Sequence, residues 1–259
     1  MSLVSTNWLE KNLSKVRIID ASWHMPNSRR NAYEEYLKTH IENTVFFDLD
    51  KNSDEKSSLP HMLPNAEKWG KIVSDFGIKN SDHIVIYDNS DTISSCRCWY
   101  SFIYFGHDFK KVSVLNGGFK KWLEEKKSVT DKMMRFDKTE YAVIENKSLV
   151  KNKEQIKKNI VSNQFELVDA RSEQRFKGLV PEPRKGLKSG NIENSKNIPF
   201  NECLNKNDHT FKNKEELLKI FEKQNINNKK NVVFTCGSGV TACVLGLANS
   251  IISGKTPIV

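Results

Sequence analysis

The chain contains the same unit twice, and this repeat limits the folds that it can adopt. The run Arg17–Ala21 resembles Glu166–Ala170, because each is a short β-branched segment that ends in Asp-Ala. The run Ile84–Asp88 resembles Val232–Cys236, and each is followed by a helical stretch. From the Asp of the first run to the last residue of the second is 68 positions in one copy and 67 in the other. Motifs in the same order at the same spacing indicate two copies of one domain.

Each copy alternates β-branched runs with helical patterns, such as Ala66–Phe76 and Lys214–Gln224. This alternation predicts an α/β fold in which each copy has a mainly parallel central sheet flanked by helices. We predict a first domain at 1–125, a linker at 126–147 and a second domain at 148–259. Only five residues follow Gly254, so we expect the second domain to lack its C-terminal end.

Composition excludes several functional classes. The formal net charge is +9, but the lysines are scattered along the chain rather than clustered with arginine on one element. This distribution gives no indication of nucleic-acid binding. No apolar stretch approaches the ~18 residues that a membrane helix needs. The first residues lack the features of a secretory signal, so we predict a cytoplasmic protein without membrane contact.

The chain has five cysteines, at positions 96, 98, 203, 236 and 243. The number is odd and no pair has Cys-x-x-Cys spacing, which argues against a disulfide framework and against a metal site. The cysteines are therefore expected to be buried thiols, or to include a reactive one.

Cys236 is the candidate nucleophile, because the two copies differ at this position. The first copy ends its strand with Asp88, and the second ends with Cys236 followed by a loop that contains Gly237 and Gly239. Glycines let successive N–H groups point inward, and the predicted helix Ala242–Ser250 directs its N-terminus at the same loop. Both effects favour a thiolate. The alternative is a small buried cysteine at a strand end.

A second cysteine chemistry is less well supported. Phosphatases with a Cys-x₅-Arg loop use the arginine to bind phosphate in two places. The residue six positions after Cys236 is Ala242, which argues against phosphoryl transfer.

The loop Cys-Gly-Ser-Gly-Val-Thr-Ala at 236–242 resembles the active loop of the 3-mercaptopyruvate sulfurtransferases. Further segments share the resemblance: Phe46–Asp50, Pro60–Pro64, Asn116–Gly118 and Pro181–Arg184. It implies two tandem rhodanese-like domains, of which the second is catalytic. It also implies that Cys236 takes sulfur from 3-mercaptopyruvate as a persulfide and that pyruvate is released. A thiol acceptor, such as a thioredoxin-like protein, or cyanide would then take the sulfur, and no cofactor is implied.

The resemblance also assigns roles to residues outside the cysteine. Arg175 and Arg184 would hold the carboxylate and carbonyl of the donor. Asp50 and His61 of the first domain would form a proton relay with Ser238. The remaining residues expected to bind the donor belong to the loop: Gly237, Gly239, Val240 and Thr241.

Two alternatives remain open. The first is thiosulfate:cyanide sulfur transfer through the same cysteine. Thiosulfate-using relatives typically carry basic residues in the loop, and the neutral Ser238 favours mercaptopyruvate instead. The second is a non-enzymatic persulfide carrier or binding scaffold. Arg175 and Arg184 argue against it, since a carrier needs no carboxylate-binding residues.

Overall fold

The computed structural model describes residues 2–184, 186–226 and 230–259. The chain divides into two compact units. The first comprises Met1–Asn146 and Asn207–Thr210, and the second comprises Lys147–Lys206 and Phe211–Val259.

The described residues of the first unit form five strands and five α-helices. In chain order they are β1 (Leu3–Val4), α1 (Thr6–Glu10), β2 (Arg17–Asp20), α2 (Ala32–Lys38), β3 (Thr44–Phe46), α3 (Ala66–Asp75), β4 (Ile84–Tyr87), α4 (Ser95–Tyr104), β5 (Val112–Leu115) and α5 (Gly118–Glu124). The strands form one sheet in the order β1-β5-β4-β2-β3, and every pairing is parallel.

Helices cover both faces of this sheet, which is why its central strands read as continuous apolar runs. All four residues of β4 are buried. One face packs into a core that includes Ile18, Val85 and Trp122. Elsewhere in the unit, Trp69 of α3 stacks on Phe105, with ring centroids 4.7 Å apart.

The second unit repeats the pattern, with four α-helices and three strands in the part that the structure describes. In chain order they are α6 (Lys153–Ser162), β6 (Phe165–Asp169), α7 (Glu173–Phe176), β7 (Lys196–Asn197), α8 (Lys214–Lys223), β8 (Asn231–Thr235) and α9 (Thr241–Ser253). The sheet order is β7-β6-β8, again with parallel pairings.

Local sequence explains where the helices of the second unit begin. At α8, Asn213 accepts a hydrogen bond from the N–H of Glu216, and the Glu216 carboxylate accepts one from the N–H of Asn213. This capping box satisfies backbone donors that the first turn leaves unpaired. Asn152 and Gln155 form the same arrangement at α6.

The last residues of the chain extend the second sheet. Ile258 forms a parallel bridge with Val233, and its carbonyl accepts the N–H of Phe234 at 2.9 Å. The N–H of Val259 donates to the carbonyl of Leu149 at 2.9 Å. In the first unit β5 has the same place between β4 and β1. The residues after Gly254 therefore form a bridged segment beside β8, as β5 does beside β4 in the first unit.

The predicted linker lies along the first unit rather than standing apart from it. Thr130 forms an antiparallel bridge with His40, and the Tyr141 hydroxyl hydrogen-bonds to His107 at 3.0 Å.

None of the helices in the described part of the chain is both long and apolar enough to cross a membrane.

Candidate active site

Cys236 lies at the carboxyl end of β8, beside the carboxyl end of β6. Loops at this edge of a parallel sheet commonly bind ligands. The Cys236 Sγ accepts a hydrogen bond from the N–H of Gly239 at 3.1 Å. Gly239 has a φ of 77°, a left-handed conformation that glycine adopts without strain. The predicted inward-pointing N–H is thus present next to the sulfur.

The active loop leads directly into helix α9, which begins at Thr241. Val240 precedes the helix and is buried, and its apolar side chain makes no capping hydrogen bond. The partial positive charge of the helix N-terminus is therefore located immediately behind the loop. Cys243 in the first turn donates from its Sγ to the carbonyl of Gly239 at 3.1 Å, which helps to fix the loop.

Of the five cysteines, all within the described residues, Cys236 alone is not buried. Burial raises the pKa of Cys203 to about 12 and raises the pKa of Cys98 well above its ordinary value. These buried thiols are unsuited to act as thiolate nucleophiles.

Arg175 approaches the active loop from helix α7. A Cβ added at Gly237 would lie 3.2 Å from the Nη2 of Arg175, so the guanidinium rests against the backbone of this glycine. Arg184 reaches the same residue, because its Nη2 donates a hydrogen bond to the carbonyl of Gly237. The structure therefore brings both predicted arginines to the residue that follows Cys236.

An ion-pair network that the sequence analysis missed supports Arg175. The Glu182 carboxylate accepts hydrogen bonds from Arg175 at both oxygens, from Nε at 3.1 Å and from Nη2 at 2.5 Å. It also accepts one from Nη1 of Arg171 at 2.8 Å. The Glu182 side chain is only 4% exposed. Hydrogen bonds from Arg175 lower the pKa of Glu182 despite this burial.

Arg171 connects this network to the strand and to the loop that follows α7. Its Nε and Nη2 donate to the carboxylate of Asp169, the last residue of β6, with Nη2 at 2.6 Å. Its Nη2 also donates to the carbonyl of Gly190 at 2.7 Å. Fork-shaped contacts of this kind fix the plane of a guanidinium. Asp169, Arg171 and Glu182 thus hold the position of Arg175.

Two of the predicted site residues, Asp50 and His61, belong to the first unit, and the structure places them together. The His61 Nε2 lies 2.9 Å from the Asp50 Oδ1. The indole N–H of Trp23 donates to both Asp50 oxygens, at 3.2 and 3.1 Å. The hydrogen bond from His61 lowers the pKa of the Asp50 carboxyl.

His61 is held on several sides. Its side chain is 5% exposed, and the ring of Trp23 meets its ring edge to face, with centroids 4.8 Å apart. The Nη2 of Arg97 donates to the His61 carbonyl at 2.6 Å. Ser238 belongs to the second unit, so the complete Asp50–His61–Ser238 relay stays a prediction.

Comparisons with known proteins agree with this architecture. The sequence model of the Rhodanese-like domain matches residues 5–125 and 152–255. The 3-mercaptopyruvate sulfurtransferase of Mus musculus is 37% identical, over 99% of this chain and 88% of its own length. The thiosulfate sulfurtransferase of Mus musculus is 40% identical, over 95% of this chain and 85% of its own length.

Among solved structures, the crystal structure of SseA from Escherichia coli, described as a 3-mercaptopyruvate sulfotransferase, matches with a TM-score of 0.88. It is 30% identical, and the match covers 97% of this chain and 94% of that one. The predicted fold class, two tandem rhodanese-like α/β domains, is confirmed. The chain therefore belongs to the rhodanese family, and it is an enzyme of the two-domain sulfurtransferase group.

Proposed function

We propose that this sulfurtransferase takes sulfur from 3-mercaptopyruvate, holds it as a persulfide on Cys236 and passes it to a thiol or to cyanide, releasing pyruvate. The observation that carries the proposal is the contact of Arg175 and Arg184 with Gly237, next to the half-buried Cys236. Two guanidinium groups beside a nucleophile suit a donor that has a carboxylate near its reacting sulfur.

In the first half-reaction the Cys236 thiolate attacks the donor sulfur. A sulfur–sulfur bond forms, the carbon–sulfur bond breaks, and its electron pair leaves with pyruvate as the enolate. The enolate takes up a proton. The enzyme now holds the transferred sulfur as the outer sulfur of a persulfide. The N–H of Gly239 and the N-terminus of α9 stabilise negative charge at this position.

In the second half-reaction an acceptor attacks the outer sulfur. A thiolate acceptor becomes a persulfide, or cyanide becomes thiocyanate, and the electron pair of the broken sulfur–sulfur bond returns to Cys236 as a thiolate. The cycle balances without a metal or an organic cofactor. A thioredoxin-like protein is our proposed thiol acceptor.

The predicted relay would supply the proton that the enolate needs. The Asp50–His61 hydrogen bond keeps the imidazole oriented, and imidazole is the most common proton carrier in enzymes. We propose that Ser238 completes the relay. The donor-binding roles of the loop residues Gly237, Gly239, Val240 and Thr241 also stay proposals.

A second candidate is thiosulfate as the donor, because relatives named thiosulfate sulfurtransferase are as similar to the chain as those named for 3-mercaptopyruvate. Some relatives carry both activities in one name, such as the Arabidopsis thaliana thiosulfate/3-mercaptopyruvate sulfurtransferase 1, which is also named mitochondrial. The cytoplasmic location of this chain accordingly remains a prediction.

The test is the intact mass of the protein after incubation with 3-mercaptopyruvate, together with the amount of pyruvate released. We expect an added mass of about 32 Da on Cys236 that a reductant removes, with one pyruvate per adduct. Cys236→Ser should form no adduct, whereas Cys203→Ser, a change at a buried cysteine, should form it normally. An adduct with thiosulfate only would support the second candidate. No adduct with either donor would favour a binding role.

A further inference from the structure

The charged residues around Arg175 almost neutralise one another. Glu182 pairs with both Arg171 and Arg175, at 2.8 and 2.5 Å, and Asp169 pairs with Arg171 at 2.6 Å. The two carboxylates are 3% and 4% exposed, so water screens these charges only weakly.

Arg184 differs from the other two arginines. Among the residues that the structure describes, none places a carboxylate within 4.0 Å of its guanidinium, and its hydrogen bond goes to the carbonyl of Gly237. Among the described residues of this network, three arginines and two carboxylates therefore leave one uncompensated positive charge beside the active loop. Without Glu182 there would be two.

This balance bears on the charge of the donor. 3-Mercaptopyruvate carries a single carboxylate, whereas thiosulfate is a dianion. A dianion that approaches a Cys236 thiolate is repelled by it and, within the described part of the chain, meets one unpaired guanidinium in this network. We propose that Glu182 determines donor specificity, because it limits the site to one uncompensated positive charge and thereby favours donors with one negative charge over dianions. This inference rests on the proposed sulfur transfer through Cys236.

Glu182 is close enough to act in this way. Its Oε2 contacts the same Nη2 of Arg175 that rests against Gly237. A unit charge at such short range in a partly buried site changes the energy of a bound anion by more than a surface charge does. Glu182 touches no donor atom in this scheme, so it is a specificity-determining residue that acts through Arg175.

The experiment compares donors in Glu182→Gln, which keeps the size of the side chain, removes its charge and replaces one acceptor oxygen with an amide donor. The quantity is kcat/KM for thiosulfate divided by kcat/KM for 3-mercaptopyruvate, measured at low ionic strength. We expect the ratio to rise roughly tenfold, the effect of a partly screened unit charge at close range. Glu182→Asp retains the charge and should keep the wild-type ratio even if both rates fall.

Glu173→Gln is the matched control. Glu173 lies on helix α7, as Arg175 does, is 66% exposed and pairs with Lys177. Its removal changes the net charge of the protein equally, and the ratio should stay within about twofold because the charge is exposed to solvent.

An unchanged or lower ratio in Glu182→Gln would overturn the inference, since it would mean that Glu182 only holds Arg175 in place. A wild-type protein that transfers sulfur from neither donor would instead refute the proposed function. If circular dichroism shows that Glu182→Gln does not fold, the inference is tested by inhibition of the wild-type enzyme with a monoanion and a dianion. The concentration of pyruvate that inhibits persulfide formation should be at least about tenfold lower than the inhibitory concentration of sulfate. The reverse order would contradict the inference.

Discussion

Arg171→Met should strongly destabilise the second unit, because Arg171 joins three of its segments. The guanidinium bonds to Asp169 at the end of β6, to Glu182 and to the carbonyl of Gly190. Methionine keeps most of the side-chain length but removes the charge and every donor. Asp169, which is 3% exposed, would lose its ion-pair partner.

The magnitude follows from these contacts. Removing one partner of a buried ion pair costs about 3–5 kcal/mol. Glu182 would keep its two hydrogen bonds from Arg175, so we expect the lower end, about 3 kcal/mol. For a unit of this size each kcal/mol lowers Tm by roughly 4–8 °C, which predicts a decrease of roughly 12–24 °C. Urea unfolding and thermal scans followed by circular dichroism measure both quantities.

Arg184→Met is the control, because it removes the same residue type from the same unit. Arg184 is half-buried and has a hydrogen bond to one backbone carbonyl. Its loss should cost no more than about 1 kcal/mol of stability. It should nevertheless raise KM for 3-mercaptopyruvate by about tenfold or more, since the proposed contact with the carboxylate of the donor would be lost. A loss below about 1 kcal/mol in Arg171→Met, or equal unfolding of both variants, would refute the assignment of one arginine to structure and the other to binding.

Three further predictions concern separate parts of the molecule. His61→Gln should lower kcat by roughly 10²-fold and leave KM nearly unchanged if the histidine carries a proton; an unchanged kcat would exclude the relay. Glu182 has a pKa below its ordinary 4.5, so its contribution to stability is complete above pH ~4.5 and is lost as pH falls through the lower pKa. Urea unfolding should therefore show a constant difference between wild type and Glu182→Gln from pH 7 to 5 that shrinks towards pH 3; a difference that grows would contradict this sign. Gly118→Ala should destabilise the first unit by about 2 kcal/mol or more. The φ of Gly118 is 58°, and the new Cβ would lie 2.5 Å from the Asp88 carbonyl oxygen. An unchanged Tm in calorimetry would contradict this prediction.

The sequence alone was sufficient for the repeat, the parallel sheets and the location of Cys236. These features depend on local periodicity and on the order of motifs, both of which are visible in one chain. The helices predicted at 66–76 and 214–224 are found at Ala66–Asp75 and Lys214–Lys223. The helical stretches expected after β4 and β8 are present as α4 and α9. All ten residues of α4 are buried, so this helix has no exposed polar face.

The network around Arg175 could not be read from the sequence. Glu182 is eleven positions from Arg171, in a loop without periodicity, and its pairing depends on how that loop folds back towards β6. One signal was available. The chain has eight arginines among many lysines, and three of them fall between positions 171 and 184. Arginine is preferred where a buried carboxylate must be bound in two places, so this concentration pointed to such a network.

The two copies of the fold differ at the strand end in a way that explains why, under the proposed function, the second copy would carry the chemistry. In the first unit the strand end is occupied by Asp88, whose carboxylate accepts the N–H groups of Ser90 at 2.9 Å and Ser95 at 2.8 Å. Burial raises the pKa of Asp88, and these donors oppose that effect. The loop after the strand therefore binds an acidic group supplied by the protein itself.

In the second unit the same strand end has Cys236, and the N–H of Gly239 points at its sulfur instead of at a carboxylate. The loop that bonds a buried carboxylate in one copy is thus available in the other to stabilise a thiolate and then a persulfide. Under the proposed function, a single exchange at the strand end, Asp in one copy and Cys in the other, separates a structural hydrogen-bonding loop from a catalytic one. Under the proposed function, arginines that bind a donor are needed beside the cysteine, and Arg175 and Arg184 both contact the residue that follows it.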